Sequence, residues 1–331
     1  MRHEIYRNLE FFIKPDISPP PFGISHTDRL LLMGSCFTSN VGRQLEDLKF
    51  CVSHNPTGIL FDPFSVVRHL SDSFDRKVYT RTDLALSDEV WHSHNHHTDF
   101  SSTDPRRTLE QINRAVAATG EWLERSDVLF VTLGSAFYYR LAGSGERVAN
   151  CHRFPSQTFT KHLAEIDEIV QQFSGVLGRI RSRNPALKVV FTVSPVRHIR
   201  EGTVSNNRSK ARLLEAVHRI CETSKDIYYF PAYELVIDVL RDYRFYDVDM
   251  VHPNYSATRY VFEQFRTTFF NTETQALCER VRELVTAFRH RPNFPDTEAH
   301  RKFLAAQTRK LTDLRALIPS ADWEAEQAYF S

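Results

Sequence analysis

The sequence predicts an α/β protein with a doubly wound parallel sheet of about five strands, flanked by helices and followed by a C-terminal helical extension. Short, continuous apolar runs of the kind found in strands buried on both faces begin near residues 29, 49, 127, 187 and 227. Helical patterns separate these runs, and crossover connections of that kind join parallel strands. No GxGxxG or P-loop motif accompanies them, so a common nucleotide cradle is not expected.

The amino-acid composition indicates which classes of binding partner to expect. The chain has 331 residues with 42 Lys and Arg against 41 Asp and Glu, so its charge gives no reason to expect nucleic acid or an anionic membrane as a partner. No apolar run of about eighteen residues occurs, so no membrane span is expected. The five cysteines are odd in number and widely spaced, which favours a reducing, cytoplasmic setting over a disulfide framework.

Three segments follow from the pattern along the chain. Residues 1–28 contain a proline-rich stretch and predict an extended lead-in. Residues 29–271 hold all the predicted strands and form the α/β domain. Residues 272–331 are amphipathic and poor in strand signals, which predicts a helical appendage that packs on the core or supports homo-oligomerisation.

The stretch Arg29–Phe37 places two nucleophile-type side chains directly after the first strand. Gly34 ends the apolar run, Ser35 and Cys36 follow, and a helical pattern continues to Leu48. Open α/β sheets place their sites at the carboxyl ends of strands. Free N–H groups and positive dipole character at the helix start are expected to lower the pKa of the thiol and to bind an oxyanion.

Asp249 and His252 supply the other side chains that a nucleophile requires. A nucleophile needs a base, and the base needs an orienting acid. The two residues are three apart in a short loop, a spacing that lets the carboxylate reach Nδ1 and leaves Nε2 free to face the nucleophile. The sequence therefore predicts a Cys/Ser–His–Asp triad.

A histidine-rich stretch lies within residues 74–103. It contains His92, His94, His96 and His97. Alternating spacing would put the first three on one face of a strand as metal ligands, but no Asp, Glu or Cys pattern accompanies them. A loop or hairpin folded over the top of the sheet is the favoured interpretation, and we expect no metal.

Several motifs resemble the GSCFA family, which is itself similar to the SGNH/GDSL hydrolases. The naming motif is present as Gly34-Ser35-Cys36-Phe37, with Thr38 where the family usually has Ala. The other segments that resemble the family are Asn55–Gly58, His97–Ser101, Asn150–His152, Ser194–His198, Ser209-Lys210, Phe230–Glu234 and Asp249–Pro253. The resemblance covers residues 25–270. It implies a flavodoxin-like, SGNH-type sheet with the triad at the strand ends, and it implies no particular substrate.

The SGNH blocks imply roles for individual residues. The third residue of the first block, Gly-Asp-Ser, is the nucleophile, and Cys36 stands at that position, so Cys36 is favoured over Ser35. The glycine of the second block corresponds to Gly58, whose N–H would donate to an oxyanion. The last block matches Asp249 and His252 without departure.

The third SGNH block departs from the family pattern. Where the family has an Asn that donates to the oxyanion, this chain has Ala136, within Gly134-Ser135-Ala136. Loss of one such donor typically costs about 10²–10³ in rate. Asn55, Asn150 and Ser135 are the candidate replacements.

Other polar residues near predicted strand ends are expected to contact substrate: His97, His152, Arg197, His198 and Tyr138. Arg197 and His198 form a cationic pair suited to a phosphate or carboxylate, and a surface ion pair is the alternative. His152 would line the pocket, or would join Cys151 as a redox or metal pair.

The triad and the resemblance together predict acyl transfer, by an acyltransferase or an esterase/thioesterase, through an acyl-enzyme on Cys36. No cofactor is required. A thiol nucleophile would suit an acyl-CoA or carrier-protein thioester as donor, with water, a small molecule or a saccharide as acceptor. Two alternatives stand beside it: a non-catalytic SGNH-like binding module, and a thiol- or metal-dependent protein using Cys36, Cys151 and the histidines.

Overall fold

Five strands form the central sheet, and shorter strands lie outside it. The computed structural model describes residues 13–331, and residues 1–12 of the predicted lead-in lie outside the described residues. The central strands are β1 (Arg29–Gly34), β2 (Cys51–His54), β5 (Val128–Leu133), β9 (Lys188–Val193) and β10 (Ile227–Tyr229). The outer strands are β3 (Ala85–Ser87), β4 (Val90–His92), β6 (Phe137–Leu141), β7 (Arg147–Val148) and β8 (Phe159–Leu163).

The strand order of the central sheet is β2-β1-β5-β9-β10, and every neighbouring pair is parallel. This is the flavodoxin-like doubly wound order, whose direction of winding reverses between β1 and β5. The crevice at that reversal opens beyond Gly34 and Leu133. The predicted fold class and all five predicted strands are confirmed.

Helices cover both faces of the sheet. They are α1 (Cys36–Asp47), α2 (Pro63–Phe74), α3 (Pro105–Arg125), α4 (Ile166–Arg183), α5 (Thr203–Cys221), α6 (Ala232–Glu234, continued by a π-helical turn Leu235–Leu240), α7 (Tyr255–Phe269), α8 (Thr272–Arg289), α9 (Glu298–Leu317) and α10 (Glu324–Phe330). Leu31 and Met33 point from β1 towards α2, α4 and α5, while Leu30 and Leu32 point towards α1 and α7. Each such buried side chain stabilises the fold by about 1.5–3 kcal/mol.

Two local predictions are wrong. The sequence pattern from Thr160 to Arg183 predicts one long helix, but residues Phe159–Leu163 form β8, which pairs antiparallel with β6, and α4 begins at Ile166. Ser256 is the N-cap that the sequence predicts for the helix ending near residue 270, but the Asn254 side chain accepts the N–H of Ala257 instead. Both errors concern where an element begins.

The C-terminal helices α8, α9 and α10 share a hydrophobic cluster that includes Leu284, Leu314, Trp323 and Phe330. The first half of α8 also reaches the central core through Cys278. Because α8 packs against both the central core and the C-terminal helices, these contacts do not test the predicted domain boundary between residues 271 and 272, which stays a prediction. Along residues 13–331, no helix has the length and apolar character needed to cross a membrane.

Gly34 sets the geometry of the chain where β1 ends. Its φ of +136° lies in a region that side chains with a Cβ rarely adopt. A Cβ at this position would also overlap the backbone of Thr132 on the neighbouring strand β5. Only glycine therefore lets the chain leave β1 towards Ser35 while the two strands stay paired.

We expect Gly34→Ala to lower the free energy of unfolding by more than about 3 kcal/mol, because strained backbone and steric overlap with backbone atoms add together. The measurement is urea unfolding followed by circular dichroism. Gly178→Ala in α4 is the matched control, since a Cβ there meets nothing within 4 Å and alanine favours a helix by about 1 kcal/mol. Equal stability of Gly34→Ala and the wild type would refute this view of the turn.

Candidate active site

Ser35 and Cys36 occupy the turn between β1 and α1 in different environments. Ser35 is the N-cap residue, 1 % exposed, and its buried hydroxyl has no hydrogen-bond partner among the residues that the structure describes. Cys36 is the first residue of α1 and is partly exposed as a free thiol. The thiol is thus the more accessible of the two nucleophile-type groups.

The electrostatic environment of Cys36 differs from the expectation. Burial raises the pKa of its thiol, and this outweighs the opposing effects of the N–H groups of Phe37 and Cys36 and of the Lys210 ammonium. The prediction that the helix start lowers the pKa of this thiol below its usual value is therefore wrong for this structure. At neutral pH the group is a thiol, so its reaction as a nucleophile requires a base.

The loop after β2 fixes the turn. The Asn55 side chain accepts the N–H of Gly34 at 2.8 Å and donates to the hydroxyl of Ser39 at 2.9 Å and to the carbonyl of Ser35 at 3.3 Å. The N–H of Gly58 donates to the Asn55 carbonyl at 2.9 Å. Because these N–H groups are already bonded, Asn55 and Gly58 hold the turn in this structure and present no free donor to an oxyanion.

The two other candidate oxyanion donors also serve protein contacts. The Ser135 hydroxyl accepts the N–H of Phe137 at 3.0 Å and lies 3.3 Å from the Ser209 hydroxyl. The Asn150 side chain accepts the N–H of His152 at 2.9 Å and reaches the Thr98 hydroxyl. Both side chains are therefore engaged in contacts within the protein in this arrangement.

Asp249 and His252 form a hydrogen-bonded pair. His252 Nδ1 lies 2.6 Å from Asp249 Oδ2, and Asp249 Oδ1 accepts the N–H groups of Val251 and His252 at 2.9 and 3.0 Å. The bonds from the backbone and side chain of His252, followed by that from Val251, lower the pKa of Asp249 to about 2. The carboxylate is therefore ionised at neutral pH and orients an imidazole whose Nε2 is left for another group.

The thiol lies just beyond the end of β1, whereas the Asp249–His252 loop contacts Arg197 beyond the end of β9, and the two do not touch. In the described residues, neither Cys36 nor Ser35 hydrogen-bonds to His252. Charge interactions link Cys36 to Lys210, Lys210 to His198, and His198 to His252. Catalytic hydrogen bonds are often long or unformed without substrate. The half-exposed His252 loop would have to close on Cys36 for a proton to pass between them.

Lys210 is a site residue to which sequence reasoning gave no role. Its ammonium is 1 % exposed and donates to the carbonyls of Gly134 and Ser194, each at 2.6 Å. It thereby ties together the chain ends of β5 and β9. Burial, reinforced by the charge of Arg197, lowers the pKa of Lys210 to about 7. The available signal was its position on the buried stripe of α5, where Leu213 follows three residues later.

Several buried polar atoms near the carboxyl ends of the central strands have no partner among the described residues, and they include Ser35 Oγ, Thr57 Oγ1 and His198 Nε2. Burial lowers the pKa of His198 to about 4, so its ring is neutral, and it meets Phe61 edge-on at 5.8 Å. Buried polar atoms nearly always have hydrogen-bond partners. Of these atoms, Ser35 Oγ belongs to the turn that carries Cys36.

The histidines fold over this edge of the sheet without forming a metal site. Only His92 belongs to a strand, β4, which pairs antiparallel with β3 as in the favoured hairpin interpretation, so the alternative row of ligands on one strand face does not form. Within the described part of the chain, no three His, Cys, Asp or Glu side chains gather as metal ligands. A Cβ on Gly58 would lie 2.5 Å from Cβ of His97, which places this histidine-rich segment directly on the Asn55–Gly58 loop.

Two of the predicted substrate contacts are engaged in packing. His152 bonds the Ser93 carbonyl through Nε2 at 2.7 Å and the Thr98 hydroxyl through Nδ1 at 3.3 Å, and burial lowers its pKa to about 4. Tyr138 is buried, with its ring edge-on to Phe64 at 4.8 Å. Neither side chain has a polar atom aimed at the Cys36 turn in this structure. Arg197, by contrast, lies beside the His252 loop.

Comparisons with known proteins identify the family. Similar solved folds include a carbohydrate esterase family 3 protein from Talaromyces cellulolyticus, 11% identical with a TM-score of 0.36 over 76% of this chain and 99% of that chain. Another is the acetyl xylan esterase Est2A from the rumen bacterium Butyrivibrio proteoclasticus, 12% identical with a TM-score of 0.34 over 76% and 66%. These values are too low to bear on activity, and the curated proteins gave no match. The GSCFA family model matches residues 29–265, and the model of the GSCFA domain protein, C-terminal domain, matches residues 281–331. The chain therefore belongs to the GSCFA family.

Proposed function

We propose that this protein catalyses acyl transfer through a covalent acyl intermediate on Cys36. The observation that carries the proposal is the Asp249–His252 pair, with its 2.6 Å contact, on a loop that bonds to Arg197 beyond the carboxyl end of β9. His252 Nε2 takes the proton of the thiol, and Sγ attacks the carbonyl carbon of an ester or thioester. The leaving alcohol or thiol receives that proton. Water or an acceptor hydroxyl or amine then attacks the acyl group, loses its proton to His252 and frees the thiol.

Cys36 suits the nucleophile role better than Ser35 does. It is partly exposed at the first position of α1, whereas Ser35 is buried at the N-cap. A thiol whose pKa is raised by burial is uncharged at neutral pH, so it depends on His252 for activation. The N–H of Cys36, at the start of α1, is the donor that supports an oxyanion, and Lys210 adds positive charge nearby.

A thioester, such as an acyl-CoA or an acyl carrier protein, is the donor that thiol chemistry favours, because attacking and leaving sulfur hold an acyl group equally well. A small molecule or a saccharide is the proposed acceptor. All five cysteines are free, which supports a cytoplasmic setting. The absence of a hydrogen bond between His252 and either Ser35 or Cys36 favours a second candidate, a binding module that has kept the fold without the reaction.

The direct test is incubation with acetyl-CoA and with 4-nitrophenyl acetate, followed by intact-mass and peptide mass spectrometry. We expect an acetyl adduct on Cys36. Cys36→Ala and His252→Ala should abolish both adduct and turnover, and Asp249→Asn should lower kcat by about 10²–10⁴ because the imidazole loses its orientation. Cys151→Ala, which removes another partly buried thiol, is the matched control and should retain activity.

An adduct on Ser35 alone would reassign the nucleophile. Turnover that persists in His252→Ala would eliminate the triad. No adduct and no turnover with any ester or thioester, from a folded protein, would leave the binding module as the better explanation.

A further inference from the structure

A cavity of about 400 Å³ lies next to the His252 loop. It is bounded by the start of α5, the end of the π-helical turn and the segment that leads to Asp249. Its lining includes Arg197, Ile199, Arg241, Tyr243, Tyr246 and Met250. Its volume is within the range of small-molecule sites, and its walls combine apolar side chains with a few charged ones, as such sites usually do.

Positive charge dominates this cavity. No described carboxylate pairs with Arg197 or Arg241. The carboxylate that lines the cavity, that of Asp242, is already paired with Arg244 at 3.2 Å. Guanidinium groups normally find anionic partners when they face a concave surface, because their planar N–H groups bind carboxylate or phosphate two at a time. The cavity lacks such a partner.

The buried ammonium of Lys210 adds to the excess of positive charge around Arg197. The charge of Arg197 lowers the pKa of Lys210, which means that the two cations repel one another. One N–H of the Lys210 ammonium has no acceptor among residues 13–331, since Gly134 and Ser194 use the other two. An anion beside Arg197 would relieve the repulsion that the folded protein otherwise retains.

The cavity is joined to the candidate triad by backbone contacts. The N–H of Arg197 donates to the carbonyl of Val251 at 3.1 Å, and Val251 directly precedes His252. Met250 lines the cavity from the same loop. A ligand in this cavity therefore lies next to the loop that carries the imidazole of the proposed reaction.

We propose that this cavity binds an anionic group, a phosphate or a carboxylate, of the acyl donor or acceptor, through Arg197 and Arg241. The statement that the bound anion is part of a substrate rests on the proposed function. The statement that the cavity binds an anion does not. The substrate of this protein would then be an anionic ester or thioester, or an anionic acceptor, rather than a neutral one.

Binding is tested first, without turnover. Isothermal titration calorimetry at low ionic strength measures the affinity of the wild type for inorganic phosphate and for succinate. We expect at least one of them to bind, and Arg197→Gln and Arg241→Gln each to weaken it about tenfold, as loss of a charge-assisted hydrogen-bonding pair does. Arg200→Gln removes the same charge from a neighbouring exposed position outside the cavity lining and should bind as the wild type does.

Binding of phosphate alone assigns the site to a phosphate group, and binding of succinate alone assigns it to a carboxylate. No binding of either anion, or binding unaffected by both substitutions, overturns the proposal. A folded Arg241→Gln protein is confirmed by its unfolding temperature, and Arg197→Gln gives an independent second variant.

Substrate preference supplies the second readout. The ratio of kcat/KM for mono-4-nitrophenyl succinate to that for 4-nitrophenyl acetate should fall about tenfold in Arg241→Gln and stay constant in Arg200→Gln. Ester turnover without anion binding overturns this inference and leaves the proposed function intact. Anion binding without turnover of any ester or thioester supports the cavity assignment and counts against acyl transfer.

Discussion

The close approach of β1 and β5 at Gly34 is the constraint on which the rest of the site depends. No Cβ fits between this residue and the backbone of Thr132, and the chain leaves the strand in a conformation that favours glycine. The Asn55 amide then clamps the turn by bonding both Gly34 and the carbonyl of Ser35. Cys36 is thereby held at the first turn of α1, at the point where the winding of the sheet reverses.

A buried cation organises the other side of this crevice. Lys210 joins the carbonyl of Gly134 after β5 to that of Ser194 after β9. Gly134 lies next to Ser35 of the nucleophile turn, and Ser194 begins the segment that carries Arg197. Burying an ammonium is costly unless its N–H groups find partners. Here two carbonyls supply them, and the remaining positive charge acts on Cys36. The Lys210 side chain therefore both holds two strand ends together and contributes positive charge near Cys36.

The sequence predicted the sheet well because continuous apolar runs report burial on both faces, as in Leu30–Met33 and Val128–Leu133. It predicted the Asp249–His252 contact because that contact is local. It did not reveal that the N–H of Gly58 bonds within its own loop and that the Asn55 side chain donates to the turn after β1, since motif position says nothing about hydrogen-bond partners. The sequence pattern predicts a helix where β8 forms, because the pairing of β8 with β6 is non-local and leaves no local signal.

The central proposal is that the Cys36 thiol gives its proton to an imidazole oriented by Asp249 when the His252 loop closes on a substrate. The most direct measurement is the single-turnover rate at which 4-nitrophenyl acetate acylates Cys36, followed by peptide-resolved mass spectrometry. His252→Gln keeps a polar side chain but removes the base, so it should lower this rate by about 10²–10⁴, as loss of a general base typically does. Ser35→Ala should leave the rate as in the wild type. Equal rates of Cys36 acylation in the wild type and in His252→Gln would contradict the proposed proton transfer.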